Sequence, residues 1–133
     1  MDLIKWRKSY ETGIDAMDVQ HQILIELINI LYKVIRKEKS SEVINEVLSE
    51  MTKYAENHLL KEEAFLATNG YPDLDNHMDI HQGYLDKMKT LMAESKKENQ
   101  ATNIYLFLRQ WWMGHIVAVD KKYGEFLQSK GVK

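Results

Sequence analysis

The chain of 133 residues contains no cysteine. Disulfide bonds, thiolate metal sites and cysteine nucleophiles are therefore excluded. It also contains only one proline and six glycines, and β-branched residues do not alternate with polar ones over any long stretch. Strands are consequently not expected.

An excess of one charge and long apolar runs are missing as well. The 18 basic and 20 acidic residues are well mixed and leave a net charge of −2, so no basic stripe indicates nucleic-acid binding. The N-terminus lacks the apolar core of a signal peptide, and no run approaches the roughly 18 apolar residues of a membrane span. We therefore expect a cytoplasmic protein with no membrane span and no nucleic-acid partner.

Apolar residues recur at steps of three and four in four segments, which predicts four amphipathic helices. After an N-terminal arm over residues 1–16, the predicted helices span about 18–37, 41–67, 73–95 and 102–128. The polar breaks between them are short: KEKSS (37–41), TNGYPD (68–73) and KKENQAT (96–102). The sequence thus predicts an all-α, up-down-up-down four-helix bundle that forms a single domain over residues 1–133.

Residues that favour helix ends mark several boundaries. We expect Asp18 to cap the first helix and one of the serines at 40–41 to cap the second. Asn69-Gly70 can end the second helix, and Pro72-Asp73 can begin the third.

All the histidines of the chain fall on the predicted buried faces. If about 40% of helical positions face inward, chance would rarely place all of them there. One buried histidine is usually a core residue with a satisfied hydrogen bond, but several unpartnered imidazoles would cost on the order of several kcal/mol, which a metal ion would remove. The five histidines are His21, His58, His77, His81 and His115.

The spacing of the polar residues agrees with metal binding. His77 and His81 are four residues apart, as are His58 and Glu62, so each pair shares a helix face. If Glu62 is buried, its negative charge would be costly without a cation beside it. The alternative is that Glu62 is partly exposed at the rim of the bundle. One such pair is a weak signal, whereas the whole ordered set is a strong one.

His115 and Asp120 are five residues apart and would point roughly 140° from each other on a regular α-helix. A single π-bulge would bring them onto one side, and such bulges are frequent at functional sites. The alternative is that Asp120 simply begins an exposed segment.

Seven candidate ligands are too many for one ion, so two ions are implied. Two bridging carboxylates, one bridging solvent oxygen and five imidazoles leave one position free on a pair of octahedral ions, where a small ligand such as O2 can bind. Imidazole and carboxylate ligands suit iron, and also zinc or manganese.

These pieces, in this order, resemble the hemerythrin family and specifically its single-domain bacterial members. The resemblance covers nearly the whole chain. Its motifs are Trp6 in the arm, DVQH at 18–21, HLLKEE at 58–63, GYPDLDNHMDIH at 70–81 and WWMGHIVAVDKKY at 111–123.

The resemblance implies two iron ions (Fe2+/Fe3+) with a bridging oxo or hydroxo group. It assigns one ion to His77, His81 and His115, the other to His21 and His58, and both to the bridging carboxylates of Glu62 and Asp120. It further implies an apolar O2 pocket lined by Leu24, Leu59, Trp112 and Ile116. Positions 59 and 112 are usually phenylalanine and leucine in the family, so this chain departs from the pattern there. Trp111 is expected to be core packing.

Three functions compete for such a site. The first is reversible O2 binding for oxygen storage, transport or delivery, without enzymatic activity. The second is a di-iron enzyme acting on peroxide, nitric oxide or ferrous iron. The third is an O2 or redox sensor. Delivery or signalling would involve a protein partner that the sequence does not identify.

Overall fold

Helices make up most of residues 3–37, 40–94 and 100–132, the parts of the chain that the computed structural model describes. After a 3₁₀ turn at Lys8–Tyr10, the helices are α1 (Asp15–Arg36), α2 (Ser41–Thr68), α3 (Leu74–Ala93) and α4 (Gln100–Gly114), followed by a π turn (His115–Val119) and α5 (Asp120–Ser129). No strand occurs in these described ranges.

The helices pack in a ring that follows chain order. Helix α1 contacts α2, α2 contacts α3, α3 contacts α4, and α4 closes the ring against α1. Short connections between sequential neighbours make them antiparallel. The predicted all-α, up-down-up-down four-helix bundle is confirmed. Within the described residues, no helix is both long enough and apolar enough to cross a membrane.

Local signals explain the ends of α2. The hydroxyl oxygen of Ser40 accepts a hydrogen bond from the backbone N–H of Val43 at 3.4 Å, so the predicted serine cap is present. At the other end, Gly70 adopts a φ of 67°. This left-handed conformation suits glycine and stops the helix after Thr68, as the Asn69-Gly70 pair predicts.

The predicted start of the first helix is wrong. Helix α1 begins at Asp15 rather than near residue 18, with Ile14 at the N-cap position. Asp18 does not cap it. Its carboxylate instead accepts hydrogen bonds from the backbone and hydroxyl of Thr12, at 2.7 and 2.8 Å, and from the backbone N–H of Gly13 at 3.2 Å. Asp18 therefore fixes the arm against the first turn of α1.

Helix α2 begins at Ser41 as predicted, and the other boundaries shift by one or two residues. Helix α4 begins at Gln100 rather than 102. The Gln100 side-chain amide donates to the backbone oxygen of Leu91 at 2.9 Å, which ties the start of α4 to α3. Parts of two predicted breaks, residues 38–39 and 96–99, lie outside the described residues, as does the predicted helix end at 95.

Two apolar clusters fill the interior at different levels of the bundle. The larger one includes Leu24 on α1 and Leu59 on α2. The smaller one includes Met17 and Leu66 on the same two helices. Between them, α1 carries His21 and α2 carries Glu62, both 0% exposed. The bundle thus places a polar layer between two apolar layers.

Candidate metal centre

The polar layer collects side chains from α1, α2, α3, the π turn that follows α4, and α5. Each of its histidines and carboxylates is at most 3% exposed. The structure brings together all seven predicted ligands: His21, His58, Glu62, His77, His81, His115 and Asp120. That these residues bind metal stays a prediction.

Glu62 turns its two oxygens toward different histidines. Its Oε1 lies 2.6 Å from Nε2 of His77 and 3.1 Å from Nε2 of His81. Its Oε2 lies 3.2 Å from Nε2 of His58 and 3.5 Å from Nε2 of His21. Glu62 therefore stands between the histidines of α3 and those of α1 and α2.

Asp120 divides its oxygens in the same way. Its Oδ1 lies 2.9 Å from Nε2 of His115 and 3.4 Å from Nε2 of His77, while its Oδ2 lies 3.0 Å from Nε2 of His21. The π turn at His115–Val119 permits this contact, because it brings residues five apart onto one side. The predicted bulge is confirmed.

Ligand atoms of the cluster form two overlapping groups, each compact enough to surround one ion. Within each group the candidate atoms lie within 4.8 Å of one another. Glu62 belongs to both. One group consists of Glu62, His77, His81 and His115; the other consists of His21, His58, Glu62 and Asp120.

Several buried atoms in the cluster have a polar partner nearby but no hydrogen bond. Nε2 of His21, Nε2 of His58 and both oxygens of Asp120 have none with the described residues. Each such atom costs about 1–3 kcal/mol when left unsatisfied. In addition, Nε2 of His81 lies 3.1 Å from Nε2 of His115. Lone pairs converging in this way fit a cation better than they fit one another.

The electrostatics of the cluster demand positive charge. Burial alone would lower the pKa of His21, but the nearby carboxylates of Asp120 and Glu62 raise it to about 10. Against the same effect of burial, these carboxylates raise the pKa of His115 to about 9.

The carboxylates respond in the opposite direction. Burial would raise the pKa of Glu62, but the nearby rings of His115, His21 and further histidines hold it well below its usual value. Burial and the charge of Glu62 would raise the pKa of Asp120, which His115 and His21 nevertheless lower. The site therefore holds two anions that protonated histidines or metal ions must neutralise.

Tyr123 and Gln20, which lie outside the predicted set, form hydrogen bonds with its side chains. The hydroxyl of Tyr123, which is 0% exposed, donates to Oε2 of Glu62 at 3.1 Å. Burial, together with the charges of Glu62 and Asp120, raises the pKa of Tyr123 well above its usual value, so the hydroxyl keeps its proton. In addition, the amide oxygen of Gln20 lies 2.5 Å from Nδ1 of His58.

Sequence reasoning gave neither residue a role, although both lie in the motifs that carry the resemblance. Tyr123 closes the last motif, and Gln20 directly precedes His21. Each contact joins two different helices. Gln20 and His58 are 38 residues apart in sequence, and Glu62 and Tyr123 are 61 residues apart. The one sequence feature that could have indicated these contacts is a side chain able to form hydrogen bonds that lies within three residues of a predicted ligand.

The predicted pocket residues border the cluster on its apolar side. Leu24, Leu59, Trp112 and Ile116 are each at most 1% exposed and belong to the larger apolar cluster. The ring of Trp112 lies 5.8 Å from that of His58 and 6.0 Å from that of His115, measured between centroids. Their role in O2 binding stays a prediction.

Trp111 does more than pack in the core. It is only partly buried, and its ring stacks on that of His115 with centroids 4.4 Å apart and planes 14° apart. It thereby restricts how the His115 ring can turn.

Several known proteins to which this chain is similar carry hemerythrin names. The family model described as the hemerythrin HHE cation binding domain matches residues 12–127. The bacteriohemerythrin of Clostridium acetobutylicum is 29% identical over 124 residues, which cover 89% of this chain and 96% of that protein. The myohemerythrin of Theromyzon tessulatum is 27% identical over 119 residues, which cover 90% of this chain and 89% of that protein. A crystal structure of a mutant hemerythrin superposes with a TM-score of 0.78 at 26% identity, over 94% of this chain and 97% of that chain.

Proposed function

Because this chain belongs to the hemerythrin family, we propose that it binds O2 reversibly at a carboxylate-bridged pair of iron ions. Its task is oxygen storage, transport or delivery, without enzymatic turnover. The observation that carries the proposal is the division of each buried carboxylate, Glu62 and Asp120, between two sets of histidines.

In this proposal, His77, His81 and His115 hold one iron ion, and His21 and His58 hold the other. Glu62 and Asp120 would bind both ions, and the pair would include a bridging oxo or hydroxo group. The arrangement is supported by the 2.6 Å and 3.1 Å contacts of Glu62 Oε1 on one side and the 3.2 Å contact of its Oε2 on the other. The set with two histidines is the one that keeps a position for O2.

The ferrous pair would supply the electrons that O2 takes up on binding and returns on release. The chain supplies the surroundings. Leu24, Leu59, Trp112 and Ile116, all fully buried, exclude water from the apolar side of the site. Water exclusion favours release of O2 over its further reduction.

Tyr123 also suits binding rather than turnover. Its hydroxyl is committed to Glu62 at 3.1 Å and keeps its proton, since its pKa is raised well above the usual value by burial and by the neighbouring carboxylates. A group held in this way orients a bridging ligand and is a poor general base.

The test is anaerobic loading with ferrous iron, desalting, and exposure to air. We expect two iron ions per chain, a colour that appears in air, and loss of that colour under vacuum over several cycles. The metal-free chain treated in the same way is the control. Irreversible colour, steady consumption of O2, or a single ion per chain would overturn the proposal.

A further inference from the structure

The outward nitrogens of the clustered histidines are not treated alike. Nδ1 of His58 lies 2.5 Å from the amide oxygen of Gln20. In contrast, Nδ1 of His21, of His81 and of His115 is buried without a hydrogen-bond partner among the described residues. The nearest acidic oxygen to Nδ1 of His81 belongs to Glu63, at 3.8 Å.

Gln20 reaches His58 across the contact between α1 and α2. It is half-buried, whereas Gln22, two residues further along α1, is exposed. Gln20 and Gln22 thus lie on either side of His21, one half-buried and the other exposed. Only the inner glutamine contacts the cluster, which makes Gln22 a matched control.

An amide oxygen only accepts hydrogen bonds, so Nδ1 of His58 must carry the proton. The lone pair of this imidazole is then on Nε2, which faces Oε2 of Glu62 at 3.2 Å inside the cluster. A partner on the outward nitrogen fixes both the tautomer and the ring orientation of a metal-binding histidine.

We propose that Gln20 is a positioning residue that holds His58 with Nε2 ready to bind metal and, being neutral, keeps this imidazole a weaker donor than a carboxylate partner would. The inference rests on the proposed metal site. It makes Gln20 a determinant of how tightly the two-histidine end of the site binds its ion.

The test compares Gln20→Leu, Gln20→Asn and Gln20→Glu with Gln22→Leu in the full chain. Zinc is the probe, measured by competition with a chromophoric chelator, and nitrogen NMR of labelled histidine reports the tautomer of His58 in the zinc-loaded and metal-free forms. Circular dichroism checks that each variant is helical before zinc is added. Asn keeps the amide but is one methylene too short to reach His58.

We expect the parent and Gln22→Leu to show a proton on Nδ1 of His58 and equal zinc affinity. Gln20→Leu and Gln20→Asn should lose the fixed tautomer of His58. Of the two zinc ions, they should bind the more weakly held one about tenfold to a hundredfold less tightly than the parent does. Gln20→Glu should restore the tautomer, bind zinc more tightly than the parent, and lower the reduction potential of the iron-loaded chain.

The inference is overturned if Gln20→Leu and Gln20→Asn both match Gln22→Leu in the tautomer of His58 and in zinc affinity. It is also overturned if Gln20→Glu binds zinc no more tightly than Gln20→Leu does. Zinc binding and histidine NMR require neither iron nor O2. A chain that passes these tests and fails to release O2 would overturn the proposed function alone.

Discussion

Asp120 follows His115 by five residues, and the π turn between them leaves Oδ1 of Asp120 2.9 Å from Nε2 of His115. A π turn is equivalent to an α-helix with one residue inserted. The helical segments before and after it are therefore oriented as they would be in a regular α-helix without that residue. In that shorter helix the pair would be four apart and still share a face.

Deleting the exposed Ala118 should therefore preserve metal binding. Inserting one alanine after it should instead turn α5 by about 100° and remove Asp120 from the cluster. Metal content per chain after loading and desalting measures both outcomes. If the deletion loses metal as completely as the insertion, the π turn is itself required and the register argument is wrong.

Removing a bridging ligand should have a larger effect than removing a terminal one. In the proposed centre, Glu62→Ala would deprive both ions of an anionic ligand, since Glu62 has an oxygen toward each histidine set. His21→Ala removes one neutral ligand from one ion. We expect the first variant to lose both ions and the second to weaken or lose mainly one. Equal metal content in the two variants would contradict the assignment of Glu62 as a bridge.

The cluster could be predicted because its residues lie on helices, where the spacing in sequence shows which residues share a face. His77 and His81 needed only the rule for residues four apart, and Asp120 required the further assumption of a bulge. The contacts of Gln20 and Tyr123 could not be predicted in this way. They depend on how one helix is rotated against another, which periodicity within either helix does not determine.

The misplaced start of α1 has a comparable cause. Asp18 has the residue type of an N-cap, and local preference favours that role. Donors from Thr12 and Gly13 compete for its carboxylate once the arm folds back. The hydrogen bonds from the arm therefore occupy the Asp18 carboxylate, and it does not cap the helix as its residue type predicts.

Metal binding to the metal-free chain should release protons. The pKa of His21 is raised to about 10 and that of His115 to about 9 by the neighbouring carboxylates, against burial. Both imidazoles therefore carry a proton at pH 7 to 8 that a metal must displace. Calorimetry of zinc binding in buffers of different ionisation heat should give about two protons released, and affinity should rise with pH up to about 9 to 10.

The same raised pKa values bear on the stability of the metal-free chain. A group whose pKa is higher in the folded state stabilises that state fully below its unfolded value, near 6.5, and loses the contribution as pH rises through its folded value. Urea midpoints of the metal-free chain should thus fall between pH 7 and pH 10. A flat profile, or no proton release, would mean that these histidines are neutral before metal binds.

Two glycine substitutions should change stability in opposite directions. A Cβ on Gly124 would lie 2.3 Å from the backbone oxygen of Thr12, so Gly124→Ala must push the arm away from α5. We expect a loss of about 1–3 kcal/mol. Gly83, within α3, has nothing within 4 Å of an added Cβ, and Gly83→Ala should gain about 0.5–1 kcal/mol of helix stability. Thermal unfolding of the metal-free chain compares them; equal melting temperatures would show that the arm is not packed this closely.

Trp112 is a predicted pocket residue that we expect to affect O2 release in the proposed function. Its side chain is 0% exposed, its ring lies 5.8 Å from that of His58, and it packs edge-on against Tyr84 at 5.3 Å. Its indole N–H has no hydrogen-bond partner among the described residues. A bulky ring with an unpaired indole N–H therefore borders the cluster, almost as close to His115, whose ring lies 6.0 Å away, as to His58, beside which the proposed function places O2.

Replacing Trp112 by leucine should open that side of the site and remove the donor. Water and small anions would then reach the metal ions more easily, because less apolar volume separates them from solvent. We expect Trp112→Leu to release O2 faster and to autoxidise faster than the parent, with unchanged metal content. Trp6→Leu makes the same change in the arm, where Trp6 packs against Tyr10, and should leave both rates unaltered. If stopped-flow release and autoxidation rates of Trp112→Leu match those of Trp6→Leu, then Trp112 only fills space in the core.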